Sequence, residues 1–182
     1  MTREFDFTIL NKVAKKHGIV LFGSTSTANV PINELVQDYD ISQHIYNRSI
    51  EGLSLTNAEK YLDTCVYSLE PDKIILNLGE EDLKAGCDIE KLAEQYRWLL
   101  YTIHTVLPDT ALILTSVISE EENAESFNHI LKTLSEECGC SYFEIPSVYS
   151  LGEYDIGFFR TIKSVFYDSN MSYADIIQYC AI

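Results

Sequence analysis

Five short, almost continuously apolar runs, separated by stretches of helical period, constrain this chain more than any other feature. The runs cover residues 19–22, 44–46, 73–78, 111–115 and 141–145. A strand buried on both faces carries no polar alternation, and helices between such strands supply the layers that cover it. Residues 57–69, 88–107 and 124–137 have that helical period. Asp88 stands where an N-cap is needed, and Cys138-Gly139 is a helix stop. Further helices are expected over residues 6–16, over a segment that Pro31 helps start, and over residues 173–181. Strand and helix alternating with right-handed crossovers predict an α/β fold, a three-layer α/β/α sandwich around a five-stranded parallel sheet. Residues 1–182 read as a single domain, with residues 1–17 as a helical extension.

Charge narrows the function classes. The 28 acidic and 13 basic residues give a net charge of −15, a field that repels nucleic acid and anionic bilayers. No run approaches the roughly 18 apolar residues of a membrane span, and the acidic start Met1-Thr2-Arg3-Glu4-Phe5-Asp6 lacks a signal-peptide core. The expectation is a cytoplasmic protein with no nucleic-acid or membrane partner. Cys65, Cys87, Cys138, Cys140 and Cys180 are scattered, and Cys138-Gly139-Cys140 is not a zinc or redox spacing. They read as reduced, mostly buried thiols, with no metal or cofactor expected.

In a parallel sheet the ligand crevice lies beyond the carboxyl ends of the strands. The first such loop is Gly23-Ser24-Thr25-Ser26-Thr27, whose amides suit an anion and whose hydroxyls suit a nucleophile given a base. It is not a phosphate-binding loop. The second is Asn47-Arg48-Ser49-Ile50-Glu51-Gly52, and the third closes Pro71-Asp72-Lys73-Ile74-Ile75-Leu76-Asn77-Leu78-Gly79-Glu80-Glu81-Asp82. In order and spacing these segments resemble the first three sequence blocks of the SGNH (GDSL-type) hydrolases, a superfamily of esterases and acylhydrolases with a flavodoxin-like fold. The resemblance extends over nearly all of residues 18–182, and the third block is its most specific part.

The resemblance implies roles position by position. The nucleophile, which also gives an oxyanion-hole amide, falls on Thr25, with Ser24 before it. The second hole amide falls on Gly52. The asparagine that completes the hole is replaced by Glu81. In the terminal Asp-x-x-His motif Asp168 is present, but Met171 stands in place of the base. A thioether accepts no proton near neutral pH, and an ionised Glu81 repels a developing oxyanion. His17, His44, His104 and His129 read as surface or helix-packing residues, so no substitute base is expected.

Glu80, Glu81 and Asp82, with Asp168 across the crevice, read as solvated loop acids. The rival readings are an acidic nest for a cation and a protonated Glu81 acting as an acid. Tyr149, Tyr154, Phe158, Phe159, Phe166 and Tyr167 read as core, with a pocket wall as the alternative. Two functions follow. One is a catalytically impaired SGNH-like protein that binds a small molecule or partner in the former crevice, the resemblance implying an ester or carbohydrate-like ligand. The other is an active acyl-ester hydrolase with a rearranged site, in which Ser24, Thr25 or Ser26 attacks and Asp168 or Glu81 is the base.

Overall fold

The computed structural model describes residues 3–146 and 154–166. Strands β1 (Ile19–Gly23), β2 (Ile45–Asn47), β3 (Lys73–Asn77), β4 (Ala111–Thr115) and β5 (Ser141–Phe143) form one sheet. Its order is β2-β1-β3-β4-β5, and every pairing is parallel. The two edge strands are three residues long.

Side chains of β1 and β3 alternate between two cores, as strand geometry requires. Val20, Phe22, Ile74 and Leu76 point to one face, while Ile19, Leu21 and Ile75 point to the other. The first face is covered by α7 (Ile89–Val106) and α8 (Ala124–Glu137). Leu92, Tyr96, Leu99, Leu100 and Ile103 of α7 recur at helical spacing, as do Phe127, Leu131 and Leu134 of α8, and all are buried. Asp88 caps α7 by accepting the Lys91 amide at 3.0 Å. Helix α8 ends at Cys138, followed by Gly139 at φ +68°. The second face is covered by α3 (Ile32–Asp38) and α9 (Tyr154–Ile162).

The structure corrects several boundaries. Residues 57–69 are not one helix but α4 (Leu55–Ala58), α5 (Leu62–Cys65) and two 3-10 turns, ended by Glu70 at φ +43°. The N-terminal helix α1 spans Arg3–Leu10, not residues 6–16. Asn11, just past it, donates to Thr64 O at 2.7 Å and to Ser68 Oγ at 2.8 Å. Asn11 also accepts from the Arg48 guanidinium at 2.9 Å. Helix α9 was not foreseen, and with the 3-10 turn after it (Lys163–Phe166) it puts Phe158, Phe159 and Phe166 in the core. Phe159 lies 5.2 Å from Phe166 and 5.3 Å from Tyr39 between ring centres. Tyr149, Tyr167, Cys180 and the helix expected over 173–181 lie outside the described residues, as does the side chain of Tyr154. Among the described residues, no helix is long and apolar enough to cross a membrane.

Candidate functional site

At the carboxyl ends of β1, β2 and β3 three loops meet. The chain leaves β1 through Gly23, where no Cβ fits, because one would lie 2.3 Å from Thr27 Oγ1 and 2.7 Å from Asn77 O. It then turns into the four-residue helix α2 (Thr25–Ala28). That turn buries Ser24 completely and leaves Thr25 and Ser26 half-buried at the surface. Ser24 therefore does not present its hydroxyl to the crevice. Its Oγ has no hydrogen-bond partner among the described residues.

Thr25 is the meeting point. Its Oγ1 accepts the Gly52 amide at 2.9 Å, and its hydroxyl is hydrogen-bonded to the Glu81 carboxylate. Residues 52 and 81, widely separated in sequence, thus both meet Thr25. Gly52 holds φ at +74°, a conformation that aims its amide here and that side chains resist.

Glu81 belongs to α6 (Glu80–Lys84), a short helix where a loop was expected. Three acids in the first turn complement the positive end of the helix, which is why this stretch coils. Lys84, one turn on, reaches back to Glu80 at 2.6 Å and Glu81 at 3.1 Å. Burial pushes the Glu81 carboxyl up, but the bonds from Thr25 and Lys84 and the Lys84 charge outweigh it. The net shift is downward. That direction runs against the reading of a protonated Glu81.

The neighbouring acids are not solvated, and they do not converge. Glu80 is buried and accepts the Ser26 amide at 3.1 Å. Asp82 is buried and accepts the Leu55 amide at 2.8 Å, tying α4 to α6. Burial lifts its carboxyl above the usual range, more than the amide bonds lower it, and the Glu81 charge adds to the rise. Glu80 and Asp82 each serve a different backbone amide. No group of three or more His, Cys, Asp or Glu among the described residues is placed to hold a metal ion.

Residues that sequence reasoning missed hold this arrangement. Asn77, fully buried at the end of β3, donates to Thr115 Oγ1 at 2.7 Å and Ser116 O at 3.0 Å, and accepts from Ser26 Oγ at 3.1 Å. Asn47 donates to Thr27 O at 2.8 Å and Val30 O at 3.2 Å, and accepts the Ser49 amide at 3.0 Å. Their signal was a polar side chain ending an apolar run. Lys84 was signalled by its spacing from Glu80 and Glu81.

None of the four histidines bonds to Thr25 or Ser26 among the described residues. His17, at the amino ends of the strands, faces Asp72 at 3.3 Å, and His44 precedes β2. His104 and His129 are exposed on α7 and α8. His129 lines a cavity of about 680 Å³ beyond β4 and β5, with Ser116 at its inner end. Asp168 and Met171 lie outside the described residues.

The site has the chemistry of an acceptor. One backbone donor, Gly52, is already engaged, and a carboxylate stands beside the half-exposed Thr25 hydroxyl.

No family model matches the chain, and no curated protein matches it. Solved structures do. A Streptococcus pneumoniae protein provisionally called a platelet activating factor superposes with a TM-score of 0.77 at 17% identity, over 90% of this chain and 91% of its own. A GDSL-like lipase from Bacteroides thetaiotaomicron gives 0.73 at 14% identity, over 90% and 97%. A psychrotrophic esterase from Pseudoalteromonas gives 0.67 at 16% identity, over 81% and 97%. At such identities the likeness is one of fold.

Proposed function

On a chain that carries the fold of the SGNH (GDSL-type) hydrolases, we propose a catalytically impaired site that binds a small molecule in the former crevice. The observation that carries this reading is the closed contact of Thr25 with Gly52 and Glu81. In an acyl transfer the Gly52 amide must reach the substrate's oxyanion, yet here it is spent on the attacking oxygen itself. The third hole position holds an anion, which raises the energy of an oxyanion instead of lowering it. Loss of one hole donor alone costs on the order of 10²–10³ in rate. A carboxylate held below its ordinary pKa is also a weak base for an alcohol, because proton transfer is driven best by a base titrating near the working pH. The ligand that suits such a crevice offers a hydrogen-bond donor to Glu81.

The second reading rests on the same bond. A hydroxyl hydrogen-bonded to a carboxylate is the geometry of a nucleophile with its base, so an acyl-ester hydrolase using Thr25 and Glu81 stands as the rival. Hydrolysis of p-nitrophenyl acetate by the purified chain and by Thr25→Ala decides between them. Equal rates are expected. A rate that disappears in Thr25→Ala refutes the impaired reading.

A further inference from the structure

A groove of about 430 Å³ runs between α4 with its following turn and α7. Leu55 and Leu99 give it an apolar floor, and Thr56 and Gln95 meet across it at 3.4 Å. Its rims carry Glu59 on one side and Glu94 on the other, and Trp98 closes one wall. Glu94 and Trp98 are four residues apart on one helix, so they share a face. Trp98 is the single tryptophan of the chain, is 58% exposed, and has the Tyr101 ring 5.6 Å away.

Charge complementarity selects the occupant. Two carboxylates and no basic side chain line the groove, in a chain of net charge −15. Of the two bases three residues from Glu94 along α7, Arg97 is turned to Glu137 at 2.8 Å and Lys91 is not among the residues that line the groove. An anionic ligand is repelled here, and a neutral apolar one gains nothing from the acids. A cation with an apolar skin satisfies all three parts: the indole face attracts it, the carboxylates neutralise it, and the leucine floor covers its methyl groups. We infer that this groove is a binding site for an alkylammonium group, seated on Trp98 between Glu59 and Glu94. The amide of Leu55, in the groove's floor, is held by Asp82, the residue after Glu81.

The single tryptophan is also the reporter. Emission of the full chain is titrated with tetramethylammonium chloride and, at matched salt, with tert-butyl alcohol as the uncharged counterpart. The expected result is a saturable change with the cation only, weakened roughly three- to tenfold in Glu59→Gln/Glu94→Gln. Both glutamates are exposed, so the double variant keeps the fold. Equal responses to cation and alcohol, no response, or an unchanged affinity in the double variant overturns the proposal. Saturation by tetralysine but not by tetramethylammonium overturns it in favour of a basic protein segment. An emission that shifts with protein concentration alone overturns it in favour of a second copy of the chain.

Discussion

Replacement of Gly79 by alanine tests the placement of the helix that carries Glu81. Gly79 is the N-cap of α6 and holds φ at +113°. A Cβ there would lie 2.4 Å from Cε1 and 2.8 Å from Cζ of Phe127, a ring with no exposed surface. Two costs are separable. The positive φ disfavours any L side chain by roughly 1–2 kcal/mol. Overpacking against a buried ring adds roughly 1–3 kcal/mol. Gly79→Ala should therefore lose about 2–5 kcal/mol in urea unfolding followed by Trp98 emission. Only the second cost depends on the ring. Phe127→Leu creates space, so the double variant should be about 1–3 kcal/mol more stable than the sum of the single losses. If Gly79→Ala unfolds within about 0.5 kcal/mol of the wild type, or if the two losses simply add, the account of this turn is wrong.

Adjacent carboxylates should titrate with opposite consequences. Glu81 is held below its unfolded value, so its contribution to stability is complete above that value and is lost as pH falls through the folded one. The stability gap between the wild type and Glu81→Gln should close on acidification. Asp82 is held above its unfolded value, so the cost of its ionisation is incurred as pH rises through that range. Asp82→Asn should compare more favourably with the wild type at pH 7 than at pH 4, read from urea midpoints at both. Arg48 is buried under the rings of Phe7 and Tyr46, at 4.7 and 5.1 Å, and bonds Asn11. Arg48→Met should cost about 1–3 kcal/mol and expose residues 11–17 to limited proteolysis. Thr25→Ser, Glu81→Asn and Met171→His together should raise ester hydrolysis well above any single variant, since such groups act as a unit. A folded triple variant with the wild-type rate defeats that expectation.

The centre of the sheet was legible because β1, β3 and β4 are buried on both faces over most of their length, which leaves the continuous apolar runs that mark them. The long helices were legible for a related reason. A cap at Asp88, a stop at Cys138-Gly139 and an unbroken apolar stripe all point the same way. Residues 57–69 keep helical spacing but break into single turns, because their packing under the sheet, and not local propensity, sets their conformation. Helix α9 was hidden by Gly157 and by its dense aromatic content, both poor helix signals. At the site, the resemblance brought Thr25, Gly52 and Glu81 together before any coordinates did. It could not say that Ser24 turns inward, that Glu80 and Asp82 are buried against backbone amides, or that Lys84 reaches back to both Glu80 and Glu81. Those facts depend on the handedness of one short turn and on which way α6 faces.

The three-residue edge strands bear on how copies of this chain meet. A long bare edge invites a neighbouring molecule to add its own strand, and sheets that avoid aggregation keep such edges short. On the β2 side the pairing continues past the strand only through Arg48 and Ile50, whose amides are already given to Leu21 and Gly23. Past β5, the Ile145 amide is taken by Ser116 Oγ at 2.7 Å. At three residues each, the described edges are too short to favour zipping two sheets into one. Strand addition between copies is thereby disfavoured at the described edges, and the sheet stays confined to one molecule there.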